Sequence, residues 1–239
     1  MLVEVWTLDA SEVRAKGFLA DAASLLPAAE RDERERGLDE ATRVEAIVSR
    51  ALLRTTLSRH APVDPRAWSF DRSTHGRPIV TGPRGAPSFN VSHSRGFVAC
   101  AIGDADELGL DVEDTRRPIA IDSTARVSFS PDELAGLFAL DGDARRARFF
   151  ALWTLKEAYL KARGAGLTMP LDRFSLRLDG PAPTISFAPD FGDVPDGWAF
   201  ARPDLGAPIS AAIAARGPGA ATLDVVVRRL APSALRDRG

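Results

Sequence analysis

The sequence predicts an α+β fold arranged as a pseudo-dimer, with two similar halves in one chain. Strand-like alternation opens each half, at residues 2–9 (LVEVWTLD) and again at 108–113 (LGLDVE). A proline able to start a helix follows each strand, Pro27 and then Pro131. A long amphipathic pattern comes next in both halves, over 41–60 and 144–163. The matching points, Val5 with Asp111, Pro27 with Pro131 and Leu52 with Thr154, keep the same order and nearly the same offset.

Taken in order, residues 2–9 alternate as a half-buried strand does. The run Glu30–Arg36 mixes acids and arginines and reads as a solvated helix start laced with ion pairs. In the first long helix Val44, Ile47, Val48, Ala51 and Leu52 recur every three or four residues, so one face is apolar. Gly76-Arg77-Pro78 marks a turn, and Phe97–Ile102 is an apolar strand. The polar segment Gly103–Glu107 is the expected junction, dividing the chain into 1–105 and 106–239. Beyond it, Ser130 is placed to cap the helix that Pro131 opens. The second long helix repeats the pattern with Phe149, Leu152, Trp153, Tyr159 and Leu160. The turn Gly164–Pro170 and strands near 174–178 and 209–214 close the chain. The natural ligand site of such a duplicated unit is the cleft between its halves.

Composition removes several classes of function. The 31 basic and 33 acidic residues leave a net charge of −2, without the basic footprint of a nucleic-acid or anionic-membrane binder. Cys100 is the only cysteine, so an intrachain disulfide and a Cys-rich zinc site are excluded. His60, His75 and His93 lack zinc-ligand spacing. No apolar run approaches the ~20 residues that span a bilayer, and the start of the chain lacks the pattern of a secretion signal. The expectation is a cytoplasmic protein with no membrane or nucleic-acid partner.

The chemistry concentrates in three segments. In the strand 108–113, Leu108, Leu110 and Val112 share the core-facing side, and Asp111 and Glu113 point together to the other. Two adjacent acids repel one another unless a cation or water lies between them. At ~3.6 residues per turn, Trp153, Glu157 and Lys161 stack on one face of the second long helix, with Lys156 about 100° around it. Three carboxylates with lysines beside them suit Mg²⁺, which prefers oxygen ligands and keeps places for phosphate oxygens. The third segment, Ser88–Arg95, crowds hydroxyls, an amide, an imidazole and a guanidinium together, a set that can bind an anion. It reads equally as a Ser/Asn-rich turn before a strand.

Taken together, the motifs resemble the 4′-phosphopantetheinyl transferases of the larger, surfactin-synthetase-activating (Sfp-like) type. The G-[RK]-P turn stands at Gly76-Arg77-Pro78, F-N-x-S-H-S at Phe89–Ser94 and G-x-D-x-E at Gly109–Glu113. W-x-x-K-E-[AS]-x-x-K follows at Trp153–Lys161, then G-x-G-L at Gly164–Leu167 and P-L-D-x-F-S at Pro170–Ser175. The match is dense from residue 76 to about 178 and looser elsewhere. The resemblance implies transfer of the phosphopantetheine arm of coenzyme A to a serine of an apo acyl or peptidyl carrier protein. The other product is 3′,5′-ADP, and a monomer suffices.

It further implies that Asp111, Glu113 and Glu157 hold Mg²⁺, with Glu157 also the base for the serine. Lys156 and Lys161 would neutralise phosphate charge, and Ser92 and His93 would contact phosphates of coenzyme A. Gly76, Arg77 and Pro78 would flank its adenosine 3′-phosphate end, with Arg43 as a further contact. On this pattern the first half serves coenzyme A, and the second serves the metal and the carrier. Two places depart from the family: Arg36-Gly37-Leu38 stands where an R-F pair is usual, and Glu45 stands two residues after Arg43, where a second arginine is usual. An acid at that place implies either weaker 3′-phosphate binding or a different register of the helix. The alternatives are a non-catalytic module that binds coenzyme A or the carrier, and another Mg²⁺ enzyme acting on nucleotides. The second has no P-loop to support it.

Overall fold

The computed structural model describes residues 1–35, 39–73, 76–164, 166–220 and 222–236. The departure at Arg36-Gly37-Leu38 and the expected scattering of His75 concern residues outside that set. The first half runs β1 (Leu2–Asp9), α1 (Ala10–Ala15), α2 (Leu19–Ser24), α3 (Ala28–Glu35) and α4 (Glu40–His60). The hairpin β2 (Ser69–Arg72) and β3 (Pro78–Gly82) follows, then β4 (Ser88–Ser94) and β5 (Phe97–Gly103). The second half runs β6 (Glu107–Asp114), α5 (Ile121–Ser128), α6 (Pro131–Phe138) and α7 (Gly142–Arg163). It continues with β7 (Phe174–Arg177), β8 (Thr184–Phe187), β9 (Trp198–Ala201), β10 (Ile209–Arg216) and β11 (Asp224–Arg229).

Pairing makes the duplication explicit. In the first sheet β1 lies antiparallel to β5, and β5 antiparallel to β4. In the second, β6 lies antiparallel to β10, and β10 antiparallel to β9. In both sheets the opening strand of the half (β1 or β6) therefore pairs with a later strand (β5 or β10), which pairs in turn with the strand just before it (β4 or β9). Each half adds a separate hairpin, β2–β3 or β7–β8. The fold is α+β with two like halves, as the sequence predicts. β11 crosses back to pair parallel with β1 as the outer strand of the first sheet, so residues 224–229 belong to that sheet by pairing.

Alternation along the strands sorts the core into three layers. Val98, Cys100 and Ile102 of β5 pack under α4 with Val48, Leu52 and Leu57. Ala99 and Ala101 face the other way and meet Val3, Val5, Leu108, Leu110, Val112 and Ile213 between the two sheets. Ala212 and Ala214 of β10 pack under α7 with Phe149, Leu152 and Tyr159. The order is helix, sheet, sheet, helix, with the seam between the halves filled by small and branched side chains.

The helix ends follow the local signals. Asp39 caps α4 by accepting from Thr42 N at 3.1 Å. Ser130 and Glu133 form a reciprocal capping box at the start of α6, with Pro131 in its first turn. Gly164 closes α7 at φ 63°, a left-handed cap that favours glycine. No described helix is long and apolar enough to cross a membrane.

Candidate active site

Gly109, Asp111 and Glu113 lie on the face of β6 turned toward α7. A Cβ added at Gly109 would stand 1.9 Å from the Ala158 carbonyl oxygen and 2.5 Å from Ala162 N. Only glycine admits that approach, which presses the Glu157–Lys161 face of the helix against the strand acids. Lys161 Nζ lies 2.7 Å from Asp111 Oδ1 and donates to Ser92 Oγ at 2.8 Å.

The electrostatics follow from this crowding. Burial pushes the Asp111 carboxyl up, against the pull of the Lys161 ammonium. Asp111 Oδ2 is buried and accepts no hydrogen bond among the described residues. Glu113 accepts from Ser94 Oγ at 3.0 Å, and Arg117 Nε lies 2.9 Å away as an ion pair. Burial first, then the charges of Asp111 and Glu113, push Glu157 up to about 7, opposed by Lys161.

The Phe89–Ser94 motif is a strand, and its side chains join the halves. Asn90 Oδ1 accepts from Leu110 N at 3.1 Å, Ser92 Oγ from Val112 N at 3.2 Å and Ser94 Oγ from Asp114 N at 3.0 Å. Each serine then donates to the β6 acid just before that amide: Ser92 to Asp111 Oδ1 at 3.1 Å, and Ser94 to Glu113 Oε2. Side-chain oxygens thus serve as ladder acceptors across the seam, and the period of two on both strands keeps them in register.

Beside this seam lies a cavity of about 380 Å³. Its walls come from α4 (Ser49, Arg50, Leu53), the β2–β3 connection (Arg72, Gly76, Arg77, Pro78) and β4 (Phe89, Asn90, Val91, His93). α7 and its cap supply Glu157, Leu160, Lys161, Gly164 and Gly166. Arginines and a lysine outnumber the single acid among the lining residues, so the cavity suits an anionic ligand.

Of the residues expected from the sequence, Gly76, Arg77, Pro78, His93, Glu157 and Lys161 meet on this wall, with Asp111 and Glu113 behind it. Lys156 does not reach it, a correction to the expected phosphate role. Its ammonium is buried on the other side of α7, 2.8 Å from Glu133 Oε2, and donates to the carbonyls of Leu171 at 2.6 Å and Phe174 at 2.7 Å. Ser92 is 3% exposed and acts inside the seam rather than on the cavity surface. Arg77 lines the cavity, but its guanidinium donates to the Lys161, Phe89 and Leu108 carbonyls, clamping α7, β4 and β6 together. Arg43 sits half-buried on α4 outside the cavity wall.

The sequence reading missed Ser49, Arg50 and Arg72. Arg50 gave a signal: a charged residue inside the apolar stripe of a helix needs a partner, and it has Glu30 at 2.6 Å. Asp111 and Glu113 lie close enough to Glu157 to raise its pKa, but the three expected metal ligands are not arranged around a common point. Among the described residues no three His, Cys, Asp or Glu side chains are gathered to hold an ion. The all-oxygen donor set and the unsatisfied Asp111 Oδ2 nonetheless fit a hard divalent cation.

Residues 107–201 match a family described as the 4′-phosphopantetheinyl transferase superfamily. Residues 14–104 match one described as 4′-phosphopantetheinyl transferase, N-terminal. The chain is 36% identical to 4′-phosphopantetheinyl transferase Sfp of Bacillus subtilis over 132 residues, 55% of this chain and 57% of that one. It is 33% identical to 4′-phosphopantetheinyl transferase HetI of Nostoc sp. over 168 residues, 69% of this chain and 70% of that one. A phosphopantetheinyl transferase of Thraustochytrium sp. is 34% identical over 195 residues, 74% of this chain and 66% of that one. The match spans little more than half the length of the Bacillus relative.

Proposed function

The chain belongs to the 4′-phosphopantetheinyl transferase superfamily, and from that premise we propose that it moves the 4′-phosphopantetheine arm of coenzyme A to a serine of an apo acyl or peptidyl carrier protein. The serine oxygen bonds to the phosphorus that carries the pantetheine arm. The pyrophosphate bond breaks, and 3′,5′-ADP leaves. The observation that carries this reading is the close packing at Gly109, which sets Glu157 and Lys161 of one helix against Asp111 and Glu113 beside a cationic cavity.

In this reading Glu157 takes the proton of the carrier serine. Without a metal, burial and the neighbouring acids push its carboxyl up to about 7; a bound Mg²⁺ would lower it and keep the group ionised to accept that proton. Lys161 offsets charge that grows on the leaving phosphate, held in place by Asp111 and Ser92. Asp111, Glu113 and Glu157 would hold Mg²⁺, which when bound neutralises the pyrophosphate. Arg50, paired to Glu30, and Arg72 add positive charge to the wall that receives the coenzyme. Gly76 and Pro78 flank its adenosine end, while Arg77 acts on the shape of that wall by clamping three elements. His93 contacts a phosphate. We assign the first half to coenzyme A and the second to the metal and carrier, in a monomer of the cytoplasm that needs neither nucleic acid nor membrane.

The test is the intact mass of several apo acyl and peptidyl carrier proteins after incubation with this protein, coenzyme A and Mg²⁺. The expected result is a gain of one phosphopantetheine by at least one carrier, with matching release of 3′,5′-ADP. Binding of coenzyme A without any gain would overturn the transferase reading in favour of a binding module.

A further inference from the structure

Glu45 is an acid next to a cavity whose charged lining residues are mostly cations. Simple charge counting says that it should hinder an anionic ligand. Its geometry points the other way. Its Oε1 lies 2.7 Å from His93 Nδ1, and its Oε2 accepts the Gly96 amide hydrogen. Gly96 belongs to the two-residue hairpin between β4 and β5, where Arg95 (φ 51°) and Gly96 (φ 88°) both adopt left-handed backbone. The same turn is tied to the start of α1 by Ala10 N donating to Gly96 O at 2.8 Å. The carboxylate is thus fixed by backbone on one side and holds an imidazole with the other.

The two side chains differ in exposure: Glu45 is 15% exposed and His93 is 50% exposed. Burial pushes the Glu45 carboxyl up, but the hydrogen bonds from His93 and the Gly96 amide bring it below the ordinary carboxylate range. It is therefore ionised at neutral pH. With Nδ1–H donated to this carboxylate, the opposite ring atom, Nε2, is left for the cavity that His93 lines.

We propose that Glu45 is a positioning residue for coenzyme A: it fixes the His93 ring so that its Nε2 edge meets a phosphate oxygen. This rests on the coenzyme A reading above. It also reverses the first of the two expectations drawn from the sequence, that an acid at this place weakens phosphate binding. The carboxylate acts through the imidazole, and the attraction it gains that way outweighs its own repulsion of the ligand, because both of its oxygens are already taken up by donors.

The test is calorimetric titration of coenzyme A into the full chain and into Glu45→Ala, Glu45→Gln, His93→Ala and the Glu45→Ala/His93→Ala double variant. Glu45→Ala should weaken binding by about tenfold, the loss expected for a hydrogen bond to a charged group. In turnover the effect should fall on KM for coenzyme A rather than on kcat. In the double variant the Glu45 change should add little to the His93 change. Long-range ¹H–¹⁵N spectra of the His93 ring should show Nδ1 protonated in the parent protein and redistributed in the Glu45 variants, a signature that a merely structural role would not produce. Glu45→Gln keeps an acceptor for the Gly96 amide and serves if the alanine variant does not fold. Tighter or unchanged binding on loss of Glu45 overturns the proposal, as does an equal loss in the His93→Ala background. If His93→Ala itself binds coenzyme A as the parent does, the phosphate contact falls too. Weakened binding in His93→Ala with none in the Glu45 variants removes Glu45 alone.

Discussion

Lys156 and Lys161 sit on the same helix, and their surroundings give them opposite roles. Lys156 is 1% exposed against Glu133, and burial pulls its pKa down while that carboxylate holds it up. Lys156→Ala would leave Glu133 buried without its ammonium and should destabilise the protein by about 3–5 kcal/mol in urea unfolding. The fraction that remains folded should keep its coenzyme A affinity. A stability loss below about 1 kcal/mol would refute the structural role. Helical spacing placed Lys156 off the Glu157 face, but its partner lies on α6, far along the chain, and a periodic pattern cannot show that contact.

Glu157 yields a pH prediction at the same scale. Its folded pKa of about 7 stands above the ordinary 4.5, so the folded protein keeps a proton that the unfolded chain has already released. The contribution of the group to stability is therefore fully present below about 4.5 and is lost as pH rises through about 7. In metal-free protein the penalty at pH 8 is at most about 3 kcal/mol. Glu157→Gln should relieve it, giving a higher urea midpoint than the parent at pH 8 and a similar one at pH 4 to 5. A lower midpoint at pH 8 would show that the carboxylate is stabilised where it stands.

At the level of elements, the site depends on how closely α7 lies on β6. Gly109→Ala places a methyl group where the Ala158 carbonyl stands, so the helix must retreat and carry Glu157 away from Asp111 and Glu113. Overpacking of this kind costs about 1–3 kcal/mol. The expected outcome is a measurable drop in thermal stability together with loss of transfer; full transfer activity would mean that the approach of the two elements is unimportant.

The alternation that put Asp111 and Glu113 on one face was legible because a strand has period two. The identity of β4 was not. Asn and Ser are turn formers by local chemistry, and here the same side chains take the place of carbonyls toward β6. For that reason a segment read equally as an anion-binding cluster or a turn became a seam, with His93 left facing the cavity and Ser92 drawn inside.

In the molecule as a whole, the duplication was readable because each half repeats its elements in the same order, and the sheets repeat it in their pairing. β11 was not readable: its partner, β1, lies at the opposite end of the chain, and parallel pairing leaves no local turn signal. The cavity lies where α4 and β4 of one half meet α7 of the other, so the proposed chemistry needs both halves in register.

The most direct measurement is the single-turnover rate of phosphopantetheine transfer to an apo carrier by Glu157→Gln, with coenzyme A and Mg²⁺ saturating. The expected result is a loss of about 10²–10⁴-fold, the range for removing a general base, in a protein that stays folded and still binds coenzyme A. A rate close to that of the parent would place the reacting centre somewhere other than the contact between α7 and β6.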